Sequence, residues 1–140
     1  MRAAARLLAM LFLLGACSAT PPEEALRASV AGLEAALEAR DADAMANVLA
    51  DDFAGPDGMD VAAARRLARL SFLRHRDVGV AIGPLDIAML DGHATVRFTA
   101  VLTGGAGWLP ERGSIYHVET GWRRDGGDWR LTSARWERDL

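Results

Sequence analysis

The stretch YHVETGWRRDGGDWRLTSARW, residues 116–136, decides the fold. Tyr116, Val118, Thr120 and Trp122 alternate with His117, Glu119, Gly121 and Arg123, the period-two pattern of a strand with one apolar face. Asp125-Gly126-Gly127 then supplies a tight turn, because glycine adopts the positive φ of a hairpin without a Cβ clash. DWRLTSARWE resumes as a second strand. Strands joined by so short a turn are antiparallel neighbours.

The same period extends towards the amino terminus. HATVRFTAVLT, residues 93–103, places Val96, Phe98, Ala100 and Leu102 on one face, and Asp91-Gly92 ahead of it is another hairpin turn. LDIAML alternates at Leu85, Ile87 and Met89, and VGVAI at Val78, Val80 and Ile82; with Gly83-Pro84 between them, these are two strands or one strand with a break. A Gly-, Trp- and Pro-containing loop fills residues 104–113.

Before residue 77 the period is helical. Leu26, Val30, Leu33 and Leu37 form one stripe between Glu23 and Arg40. Thr20 and Glu23 have capping-box spacing, with a proline beside them for the first helical position. Asp41 or Asp43 opens a second helix with Met45, Val48 and Leu49 on its apolar stripe and Phe53 close behind; GPDG, residues 55–58, ends it. Asp60 caps a third helix from Val61 to about His75, whose inward residues are expected to be Ala64, Leu67 and Leu70, with Leu73 next along the stripe. Three helices followed by an antiparallel meander make an α+β domain.

Composition narrows the function. With 140 residues, 51% of them hydrophobic, the chain suits one domain with a substantial core. Its formal charge of -3 gives no basic face for phosphates, so no nucleic acid partner is expected. All basic residues are arginine, which reads as a compositional bias. The single cysteine excludes an internal disulfide and a site of Cys ligands. No two of the three histidines have ligand spacing within one element, so no metal is expected, and no cofactor either.

The amino terminus reads as an address. Met1–Arg6 is positive, Leu7–Leu14 is apolar, and Gly15-Ala16 are small residues before Cys17. The apolar run is about half the roughly twenty residues a spanning helix needs. LGAC, Leu14–Cys17, resembles the lipobox of bacterial lipoproteins. That resemblance implies removal of residues 1–16 as a signal peptide, acylation of Cys17 with chains such as palmitate, and membrane attachment through this anchor. Ser18, where Asp would signal inner-membrane retention, implies the outer membrane facing the periplasm. Residues 17–22 are the acylated cysteine and a short linker; residues 23–140 are the domain. At about 3.5 Å per residue this linker keeps the domain against the membrane.

EARDADAMANVLADDF, GHATVRFTAVL and the opening stretch together resemble the nuclear transport factor 2-like superfamily, with its polyketide-cyclase-like (SnoaL-like) and ketosteroid-isomerase-like members. The resemblance covers about Ala25–Trp136. It implies a strongly bent antiparallel sheet around three helices, a cone-shaped, cystatin-like roll with a cavity at its open end. Enzymes of that superfamily place an Asp or His base in an apolar cavity.

Strand parity sends Phe98, Tyr116 and Trp122 to the concave face as ligand-binding candidates. Trp108, in the loop, is a ligand-gripping lid or a plain cover of the cone mouth. The same parity sends Arg97, His117, Glu119 and Arg123 to the outer face. His117 is the first candidate for a general base, weighed against cross-strand charge pairing; Asp51, weighed together with its neighbour Asp52, is the second, against paired carboxylates that are exposed or cap the next turn. Arg65, Arg66, Arg69, Arg74 and Arg76 read as a solvated helix face, or one that meets anionic lipid head groups. The expected function is binding of a small apolar or amphipathic ligand, or a protein partner, without turnover. The alternative is an isomerase, dehydratase or cyclase using His117 or an Asp, with Tyr116 orienting a substrate oxygen. A homodimer through the outer sheet face is a further expectation.

Overall fold

The computed structural model describes residues 21–74, 79–103 and 113–139. Thr20, Cys17, His75, Arg76, Val78 and Trp108 therefore lie outside the described residues.

Helix α1, Pro22–Glu38, starts with proline in its first turn, where a missing N–H costs nothing, and Glu23 and Glu24 face the positive end of the helix dipole. Leu26 and Val30 are buried, while Leu33 and Leu37 pack at the edge of the core. Helix α2, Ala42–Val48, is capped by Asp41, whose carboxylate accepts from the Ala44 N–H at 2.9 Å. Helix α3, Val61–Arg74, is capped by Asp60 through the Ala63 N–H at 2.8 Å. Asp43 of α2 takes Arg65 at 3.5 Å and Arg69 at 2.9 Å. Two of the α3 arginines thus clamp one helix to the next.

Two helix expectations are corrected. The second helix stops at Val48, and Leu49–Ala54 is strand β1. Leu49 and Phe53 are four residues apart, a spacing that fits one helical turn and strand parity equally, so the pattern alone does not separate the two. Pairing decides it, because β1 runs parallel to the last strand with Leu49 beside Leu131 and Ala54 beside Ser133. On α3 the buried line runs through Ala64 and Ala68, whereas Leu67 and Leu70 are exposed and Leu73 is 70% exposed. Short alanine side chains form the buried line of this helix and Leu70 and Leu73 turn outward, whereas Leu67, though partly exposed, lines the cavity on the inward side expected for it.

The remaining strands are β2 (Gly79–Ile82), β3 (Asp86–Leu90), β4 (His93–Thr103), β5 (Ser114–Asp125) and β6 (Asp128–Arg138). The sheet order is β1-β6-β5-β4-β2, and β3 also pairs with β4. Strands β2 and β3 share one edge of β4, opposite residues 100–103 and 93–97 respectively. Between them the Gly83 N–H donates to the Thr99 carbonyl at 2.9 Å. The turns at Gly92 and Gly126 have φ of 70° and 64°. The result is an α+β fold in which a mixed, curled six-stranded sheet wraps three helices. All pairs except β1·β6 are antiparallel.

A bulge in β6 shapes the inner face. Gly121 sits opposite Ser133 but Trp122 sits opposite Leu131, leaving Thr132 as the extra residue. Leu131 and Ala134 consequently both face the core side. A Cβ on Gly121 would lie 2.5 Å from the Ser133 Oγ and 3.3 Å from the Thr132 Oγ1, so a larger residue would force the side chains of the bulge to shift.

Candidate functional site

The concave side of the sheet and the three helices enclose a cavity of 670 Å³, within the ~300–1,000 Å³ range of small-molecule sites. Leu33 and Leu37 come from α1, Met45 from α2, Leu49 and Phe53 from β1, and Ala64, Leu67, Ala68 and Phe72 from α3. The sheet adds Val80, Ile82, Phe98, Ala100, Leu102, Val118, Leu131, Ala134 and Trp136. The polar lining among the described residues is Arg40, Ser71, Thr103, Ser114, Tyr116 and Thr120.

Thr120 is already committed. Its hydroxyl donates to the Val96 carbonyl at 2.9 Å and accepts from the Trp122 Nε1 at 2.9 Å, a chain that satisfies both buried groups. Tyr116, Ser71 and Arg40 make no side-chain hydrogen bond with another described residue. No carboxylate and no imidazole of the described residues lines the cavity.

The sequence-predicted residues separate accordingly. Phe98 and Tyr116 line the cavity, on adjacent strands. Trp122 shares their face but is 1% exposed, packed in the core and not part of the lining. Its indole is used up by Thr120. His117 lies on the opposite face, with its side chain 62% exposed and Nε2 at 3.7 Å from the Asp139 carboxylate. Asp51 is exposed on β1 and is not a lining residue. Neither base candidate meets Tyr116 across the cavity. Sequence reasoning missed Arg40, which it treated as the end of the first helix, and Trp136, whose place depends on the bulge.

The outer face carries a charge ladder. Glu119 accepts from Arg97 at 2.7 Å and pairs with Arg135 at 2.7 Å. Hydrogen bonds from Arg97 and then Arg135 hold its carboxyl below the usual glutamate range. Asp52 receives both terminal nitrogens of Arg123 at 2.9 Å, and that fork lowers its pKa. Among the described residues no cluster of three or more His, Cys, Asp or Glu could hold a metal. No described helix is long and apolar enough to cross a membrane.

The architecture is that of nuclear transport factor 2-like (NTF2-like) proteins. An NTF2-like protein of unknown function from Pseudomonas putida KT2440 superposes with a TM-score of 0.71 at 16% identity, over 82% of this chain and 84% of that one. A candidate dehydratase of the NTF2-like family from Streptomyces avermitilis gives 0.73 at 13% identity, over 84% and 97%. Bd1075 of Bdellovibrio bacteriovorus gives 0.72 at 11% identity, over 81% of this chain and 40% of that longer protein. At these identities the likeness is one of fold. No family model and no curated protein matches the sequence.

Proposed function

We propose that this protein is a lipid-anchored protein of the bacterial cell envelope whose cavity takes up a small apolar or amphipathic molecule without turning it over. The observation that carries the reading is the 670 Å³ cavity itself, walled by aliphatic and aromatic side chains with a few separated polar groups. Such a wall gains from desolvating an apolar ligand, at about 25 cal/mol per Å² buried, and its hydroxyls orient a head group. The lipobox-like LGAC supplies the anchor in this reading: Cys17 is acylated, and the protein sits at the outer membrane facing the periplasm.

A second reading, an acid–base enzyme of the dehydratase or isomerase type, draws on the candidate dehydratase with the same fold and on Tyr116 in the cavity lining, whose phenol has no hydrogen-bond partner among the described residues. Against it stands the exposure of His117 and Asp51 away from the lining. A base works within hydrogen-bond reach of the proton it takes.

The test is titration of the chain from residue 17 onward, which holds every described residue, with dodecan-1-ol. Cys17→Ser in this chain leaves no acyl group to compete. Saturable binding is expected, reduced at least tenfold by Ala134→Trp, which puts an indole into the cavity with Tm unchanged or raised. Binding that ignores Ala134→Trp would place the alcohol elsewhere and end the cavity reading.

A further inference from the structure

Arg40 combines two features that neither the fold nor packing asks for. It follows the last turn of α1 with φ of 55°, in the left-handed region. The Arg40 N–H donates to the Leu37 carbonyl at 3.1 Å and the Asp41 N–H to the Ala36 carbonyl at 3.0 Å. This is a Schellman C-cap, and its left-handed position is usually glycine because a Cβ is disfavoured there. A residue with a long charged side chain occupies it, and that residue is part of the cavity lining.

Arg40 is half-buried, and its guanidinium has no ion pair with any described residue. Its neighbour Asp41 is engaged in capping α2, Glu119 and Asp52 are engaged on the outer face, and no Asp or Glu of the described residues lines the cavity. Arg40 is thus the only charged side chain on the lining among the described residues. A cation facing an apolar wall with no counter-charge is costly to desolvate unless an anion joins it. A guanidinium fork accepts a carboxylate or phosphate through two parallel hydrogen bonds.

Resting on the cavity reading above, we propose that the ligand is a single-chain amphiphile with an anionic head, held at Arg40 while its chain lies against Leu33, Leu37 and Phe98. Arg40 is then the specificity-determining residue of the site. Carboxylate and phosphate heads share the required chemistry.

The test uses the same Cys17→Ser chain and calorimetry with three probes below their micellar concentrations: dodecanoate, dodecyl phosphate and neutral dodecan-1-ol. An anionic head is expected to bind about tenfold or more tightly than the alcohol, the low end of a charge-assisted hydrogen bond for a half-buried group. The better of the two anions identifies the head. Arg40→Gly suits the left-handed cap, so its Tm should equal or exceed that of the unaltered chain, and it should bring the anions down to the level of the alcohol. Arg40→Lys should restore part of the preference. Equal binding of anions and alcohol, or a preference that survives Arg40→Gly, would overturn the role of Arg40 and leave the cavity reading standing. Failure of all three probes to bind would overturn both.

Discussion

The two faces of β5 divide the chemistry of the molecule between them. Residues Tyr116, Val118 and Thr120 look into an apolar cavity, while His117 and Glu119, one position away in each case, stand among ion pairs on the outside. The inner face lines the cavity with few polar groups; the outer face carries the ion pairs of Glu119 with Arg97 and Arg135 and of Asp52 with Arg123. The titratable side chains His117 and Glu119 of this strand are therefore no guide to the cavity. The outer pairs are exposed and screened, so each contributes little to stability, whereas inner-face packing contributes much.

This contrast can be broken most severely from the inside. Trp122→Ala removes a fully buried indole and strips Thr120 of a partner, and should destabilise by about 3–5 kcal/mol in urea unfolding. Next in size is Gly121→Ala, where the new Cβ meets Ser133 and Thr132 across the bulge; about 1–3 kcal/mol is expected. Ser133→Gly in that background should recover part of the loss. If Gly121→Ala costs nothing, the bulge does not fix the inner face as described.

Outer-face changes should be small. Glu119→Gln should lower Tm slightly near neutral pH. Because Arg97 and Arg135 depress the Glu119 pKa in the folded state, its contribution is fully present above the unfolded carboxylate value of about 4.3 and fades as pH falls through the lower folded value. The Tm difference between Glu119→Gln and the unaltered chain should therefore shrink in acid; a difference that grew would reverse the assignment. Smallest of all, His117→Ala should leave dodecan-1-ol binding unchanged.

Much of this was legible in the sequence because strand parity is a local property. The 116–136 stretch gives the hairpin, both faces of β5 and the outward position of His117 without tertiary information. The parallel edge strand was not legible, since Leu49 and Phe53 satisfy both periods and only β6, some eighty residues later, selects one. Leu70 and Leu73 of α3 misled for a related reason: hydrophobicity ranks Leu above Ala, but close approach of backbones ranks Ala first, and of the three leucines only Leu67 reaches the cavity. Of the site, Phe98 and Tyr116 followed from alternation. Trp136 did not, because the bulge at Thr132 shifts parity within β6, and Arg40 did not, because nothing local marks an arginine as the left-handed residue of a cap.

The account stands or falls on whether the cavity is occupied in the native protein. Isolation of the full chain from the cells that make it, in polymer discs and with no detergent to enter the cavity, followed by mass spectrometry of co-purifying small molecules, reads this directly. The account predicts one anionic single-chain amphiphile per protein, depleted in the Ala134→Trp and Arg40→Gly variants. A molecule present in equal amount in all three proteins, or no bound molecule in any, would contradict it.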